Sequence, residues 1–136
     1  MKKKRKISGK LPPFVALPWD ILNGPAYKAL SHSAAKALPY FFGKAKDGTP
    51  HRDPEWYSTS FTFSYKEAKS YGFSYSTFHQ IICQVVEKGF IDPVDKGGLR
   101  GCSRSNSKFK PSIRWKKYGT QEFEVINWKF FQPSAK

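Results

Sequence analysis

The stretch SYKEAKSYGFSYSTFHQIICQVVEKGF, Ser64 to Phe90, constrains the fold more than any other, because its local signals specify two helices and the corner between them. Ser64 with Glu67 three residues on forms a capping box, in which hydroxyl and carboxylate each satisfy a backbone N–H left over by the first helical turn. Tyr65, Ala68 and Tyr71 then share a face, and Gly72 stands where a left-handed stop is needed. Ser74 caps the next helix, with Phe73 before it and Phe78 after it spaced as a hydrophobic staple. Phe78, Ile81, Ile82, Val85 and Val86 recur at helical spacing and make a stripe about 100° wide that must face a core. Gly89 ends that helix, and Phe90 is placed to pack back on it. Two helices crossing at a steep angle need a small residue at the contact, a permissive corner and apolar residues reaching across. Ala68, Gly72, Phe78 and Ile81 supply these in order, so the stretch reads as a helix-turn-helix.

That geometry turns Ser74, Tyr75, Ser76, Thr77, His79, Gln80, Cys83 and Gln84 outward along the second helix. A solvated helix face is usually rich in Lys and Glu. This one carries hydroxyls, amides and an imidazole, groups that hydrogen-bond base edges and phosphates.

The formal charge of +14 is segregated. Residues 1–10 hold six Lys or Arg and residues 96–117 hold eight, neither run contains an acid, and the remaining charges cancel. Two positive fields on a neutral body attract polyanions and speed association. Lys3, Lys4 and Arg5 in the first run and Arg100, Arg104, Lys108 and Lys110 in the second are the candidate phosphate contacts.

Taken in order, residues 1–10 read as a disordered basic arm. Leu11 to Leu22 is Pro-punctuated and apolar, with Phe14, Val15, Leu17 and Trp19 expected on the body and one helical turn after Pro18. Pro25 opens a short helix over Ala26 to Leu30. Ser31 or Ser33 caps a longer helix whose stripe is Ala34, Ala37, Leu38, Phe41 and Phe42, and Pro39 is expected to kink or shorten it. Residues 43–56 form a surface loop, and Tyr57 to Phe63 alternates like a strand. Beyond the helix-turn-helix, Phe90 to Val94 and Phe109 to Tyr118 are expected to pair around a basic glycine-rich tip, a wing. In the second strand Ile113 and Trp115 would share one face, Arg114 and Lys116 the other. Residues 119–136 are apolar enough to dock on the body or on a second copy, which leaves a homodimer open.

The FVALPWDIL opening, the GPAYKALSHSAAKAL helix, the SYKEAKSYGFSYSTFHQIICQVVEKGFI core and the basic segment SIRWKKYGT together resemble small winged helix-turn-helix proteins of prophages, plasmids and other mobile elements. The resemblance covers about residues 10–120 and is strongest in the core stretch. It implies an α+β winged helix-turn-helix fold over 11–118, with a three-helix core, a small antiparallel sheet and a basic wing. It also implies a replication-initiation or transcription-regulating role with double-stranded DNA as partner and Ser74 to Gln80 entering a groove.

Other chemistries find less support. His79 and Cys83 stand four apart, but structural zinc wants four ligands and none of the remaining His and Cys has suitable spacing. Ten acids, mostly scattered through loops, assemble no Mg²⁺ cluster or nucleophile with its base, so neither an enzyme nor a cofactor is expected. Two cysteines without a CxxC pair, and no secretory signal, suit a reducing cytoplasm, on the nucleoid in a bacterium, and no run is long enough for a membrane span. The rival functions are a protein-interaction module on the same fold and RNA or single-strand binding, the latter favoured by an aromatic content of 17%.

Overall fold

A computed structural model of the chain describes residues 14–45, 54–95 and 107–130. The expectations for Lys3, Lys4 and Arg5 in the arm and for Arg100 and Arg104 at the hairpin tip lie outside those residues. The fold is mixed α+β. Among the described residues, five helices run in the order α1 (Trp19–Leu22), α2 (Pro25–Lys28), α3 (His32–Lys44), α4 (Tyr65–Ser70) and α5 (Tyr75–Glu87). Strand β1 (Phe61–Thr62) precedes α4, while β2 (Ile91–Asp95) and β3 (Lys108–Pro111) follow α5.

Each long helix starts where a side chain satisfies its first amides. Ser31 accepts from the Ala34 N–H at 3.2 Å to cap α3, and Ser74 accepts from the Thr77 N–H at 3.2 Å to cap α5. At α4 the full capping box is present, with the Glu67 N–H donating to Ser64 Oγ at 3.0 Å and the Ser64 N–H to Glu67 Oε1 at 3.4 Å. The same Glu67 carboxylate receives the Lys44 ammonium from the last turn of α3. One acid therefore both starts α4 and ties it to α3. Pro39 does not break α3, which continues through it to Lys44. Proline removes only the donor to the Ala35 carbonyl, and packing of Leu38, Phe41 and Phe42 in the core outweighs that loss.

The antiparallel sheet has the order β1-β3-β2, so the last strand inserts between the two earlier ones. Phe109 pairs with Phe61 on one side and with Pro93 on the other, and its ring meets Phe41 at 6.1 Å and Trp128 at 5.3 Å. Helices and sheet share one core. Phe63 lies 4.8 Å from Phe41 and 4.9 Å from Phe78, which carries the contact from α3 to α5. Trp128, in a 3₁₀ turn over Trp128–Phe130 that packs on α5, is buried, so this part of the C-terminal extension docks on the body.

Several expectations change. The strand foreseen over Tyr57 to Phe63 shrinks to Phe61–Thr62, because Pro54–Ser58 winds into a 3₁₀ turn that buries Trp56 edge-on to Phe42 at 5.4 Å. The return strand stops at Pro111, and a 3₁₀ turn over Arg114–Lys117 replaces its second half. With a period near three instead of two, Ile113 turns out to solvent while Arg114 and Trp115 turn in. Phe14 and Trp19 are exposed, the latter by 76%, while Val15 and Leu17 supply the packing of that segment. Cys83 is only 6% exposed, so the apolar stripe of α5 is wider than its aliphatic residues suggest.

Candidate nucleic-acid interface

The outward side of α5 is assembled from its first three turns. Ser74, Tyr75, Ser76 and Gln80 are exposed, while Thr77, His79 and Gln84 are half-buried. Their hydrogen-bonding capacity differs sharply. Ser74 Oγ accepts from the Thr77 amide and donates to Thr77 Oγ1 at 3.0 Å, so its hydroxyl is occupied by the cap. Gln84 receives the Ser31 N–H on Oε1 at 2.8 Å and donates from Nε2 to Ser31 Oγ at 3.0 Å. Both ends of that amide serve to lock the start of α3 to α5. The Ser76 and Gln80 side chains and the Tyr75 hydroxyl make no hydrogen bond among the described residues, which leaves them available to a ligand.

Tyr75 protrudes, 60% exposed, yet it is braced. Its ring meets Tyr65 of α4 edge-on at 5.2 Å, and Tyr65 in turn stands on buried Phe78 at 5.1 Å. The Tyr65 hydroxyl lies 3.5 Å from His79 Nδ1, and His79 Nε2 lies 3.8 Å from Cys83 Sγ. Burial, and after it the charge that Cys83 can carry, push the Tyr65 phenol above its ordinary value. Both ring nitrogens of His79 therefore face inward partners. Along this helix Gln80, Ser76 and Tyr75 are the side chains best placed to touch something outside.

The cations are distributed differently from the sequence expectation. On β3, Lys108 is exposed and Lys110 half-buried, flanking inward Phe109, and in the sheet register they stand opposite Asp95 and Asp92. Arg114, from the same basic run, is only 9% exposed and faces the interior. Its guanidinium donates to Asp92 Oδ1 at 2.6 Å and to the carbonyls of Glu124 (2.9 Å), Val86 (2.8 Å) and Ile91 (3.0 Å). This arginine closes the end of α5 and is unavailable to phosphate. Lys117 pairs with Glu122 at 2.8 Å. Conversely, Lys66 and Lys69 on α4 and Lys36 on α3 are exposed, and none has a carboxylate within ion-pair distance among the described residues. These three belong to no charge run, so charge segregation along the chain does not single them out. The stripe of Tyr65 and Ala68 on α4 already places Lys66 and Lys69 off the buried face.

Among the described residues no group of three or more His, Cys, Asp or Glu could hold a metal ion, and no helix is long and apolar enough to cross a membrane. No protein-family profile, characterised protein or solved structure matches the chain.

Proposed function

We propose that the chain is a winged helix-turn-helix protein that binds double-stranded DNA, in a regulatory or replication-initiating role of the kind mobile elements encode. The observation that carries the reading is the displayed start of α5. Exposed Tyr75, Ser76 and Gln80 project there without internal hydrogen bonds, from a helix held rigidly by α3 and α4. The element order supports it: a helix, a short strand, two helices across a glycine corner, then two strands whose sheet closes on the first. In this arrangement α5 enters the major groove, the β2–β3 hairpin with Lys108 and Lys110 lies along the backbone, and phosphate contacts supply most of the affinity. Gln80 presents an amide able to pair bidentately with adenine, and Tyr75 an apolar ring suited to a thymine methyl, so sites containing A·T pairs are preferred.

Selection from random duplexes, followed by titration of the winning site and an unrelated duplex, tests the reading. Gln80→Ala should lose about 1–3 kcal/mol on the preferred site and little on the other, while Lys108→Ala should weaken both alike. Equal losses from Gln80→Ala on the two duplexes would mean that α5 does not read bases. Competition with single strands and RNA of the same sequence separates the single-strand alternative. A protein-interaction role is favoured by one feature, the exposed Trp19 with Phe14 nearby in sequence, and failure of the chain to bind any duplex would bring it forward.

A further inference from the structure

Beside the corner between α4 and α5 the surface is aromatic as well as basic. Tyr40 of α3 and Tyr71, which closes α4, stack with centroids 4.3 Å apart and planes 19° from parallel, yet each remains 37% exposed. Buried rings hold them from behind: Phe73 meets Tyr40 at 6.2 Å, and Phe63 meets Tyr71 at 6.0 Å. Neither hydroxyl makes a hydrogen bond among the described residues. Lys36, one turn before Tyr40, holds its ammonium 5.7 Å over the Phe73 ring, and Lys69 is exposed two residues before Tyr71. Among the described residues, the acid of α4, Glu67, is already paired with Lys44 and does not offset these lysines. It is also continuous in the chain with Ser74, where α5 begins.

Two phenols on rings braced from behind, with exposed lysines on the same two helices that have no carboxylate partner among the described residues, match a sugar–phosphate strand. Phosphate oxygens accept from O–H and N–H donors, and the deoxyribose packs on ring surface. An acidic peptide would satisfy the lysines but has no regular apolar face for the stacked pair. Resting on the reading of α5 as the groove-facing helix, we propose that Lys36, Tyr40, Lys69 and Tyr71 grip the backbone of one DNA strand at the edge of the groove α5 enters. These contacts set the register of α5 on the duplex and carry no base preference.

The test uses the full chain, the preferred duplex and an unrelated duplex, with anisotropy titrations between 50 and 200 mM salt. A Lys36→Gln, Tyr40→Phe, Lys69→Gln, Tyr71→Phe variant keeps both rings and therefore the stack. It should bind both duplexes on the order of tenfold more weakly, with a salt slope lowered by about two and an unchanged ratio between duplexes. Should its melting temperature fall, Lys36→Gln with Lys69→Gln alone leaves every ring untouched and should still lower the slope by about two. Wild-type affinity and slope in both variants would overturn the proposal while the role of α5 stands. A collapsed ratio between duplexes would overturn the register role in favour of base reading. Failure of the wild type to bind any duplex would overturn the reading beneath it as well.

Discussion

α4 and α5 stop in the same way, in opposite surroundings. In each, the amide two residues past the cap reaches back to the carbonyl five residues earlier: Phe73 to Ala68 at 3.0 Å, Phe90 to Val85 at 3.0 Å. In each, the glycine between donates one turn back, Gly72 to Lys69 at 3.0 Å and Gly89 to Val86 at 3.1 Å, with φ of +101° and +91°. These are two copies of one local motif. A Cβ added at Gly72 would meet nothing within 4 Å, whereas at Gly89 it would lie 2.6 Å from the Trp115 nitrogen and 2.8 Å from the Arg114 carbonyl carbon. The difference comes from the returning chain. Trp115 donates its amide to the Gly89 carbonyl and Ser112 to that of Phe90, both at 3.0 Å, so backbone is pressed against the end of α5. The helix is thereby anchored at its C-terminus and displayed at its N-terminus, as the proposed base-reading role would require.

The largest effect that follows is that of Gly89→Ala. Backbone strain of about 1–3 kcal/mol adds to overpacking of about 1–3 kcal/mol, and because the atoms met are main chain, neither can relax cheaply. Chemical denaturation should show a loss near the upper end of that sum. A loss no greater than that of Gly72→Ala would break the contrast between the two corners.

Arg114→Ala comes next, at about 3–5 kcal/mol, since it leaves the Asp92 carboxylate without its arginine and takes a donor from the carbonyls of Glu124, Val86 and Ile91, of which Val86 keeps the Gly89 N–H. Arg114→Lys should recover little of this, because one ammonium cannot reproduce a planar fork aimed at four acceptors. Lys108→Ala, on an exposed lysine of the same basic run, should leave the denaturation midpoint almost unchanged. Equal destabilisation by the Arg114 and Lys108 variants would show that the buried guanidinium is not what anchors α5.

This split also shows where sequence reading reaches its limit. The caps at Ser64 and Ser74, the stops at Gly72 and Gly89 and the buried stripe of α5 rest on neighbours within a few residues, so their signals are complete in the local sequence. Arg114 depends on Asp92, Val86, Ile91 and Glu124, and nothing between Lys110 and Lys117 announces those partners. A run of cations read as one exposed patch therefore contains an interior residue. For the same reason Gln84 looked like an outward amide until Ser31, 53 residues away, took both its ends. Lys36 and the stacked tyrosines carry no local signal, because their grouping exists only once α3 crosses the corner.

At the displayed corner, Gly72→Ala should cost only about 1–2 kcal/mol, the strain of a left-handed alanine with no collision added. The same measurement as for Gly89→Ala applies, and the ratio of the two losses sharpens the comparison. A loss above about 3 kcal/mol would place a steric partner at a corner that is open here.

The smallest effect is a pH dependence at the same displayed end. Tyr65 braces Tyr75 and meets His79, and burial raises its phenol above the unfolded-state value of about 10. The folded chain therefore holds this proton more tightly than the unfolded chain does. Its contribution to stability is fully present below pH of about 10 and is lost as pH rises through the folded-state value, where the unfolded state gains by ionising first. Melting temperature followed from pH 8 to 11 should fall less steeply in Tyr65→Phe than in the wild type. At neutral pH the variant should lose only about 0.5–1 kcal/mol, because the hydrogen bond to His79 is long at 3.5 Å. Burial being the larger cause, Cys83→Ala should flatten the alkaline limb less than Tyr65→Phe does. Identical alkaline limbs in wild type and Tyr65→Phe would mean that this phenol is as free to ionise in the folded protein as in the unfolded chain, and the brace beneath Tyr75 would have to be sought in ring packing alone.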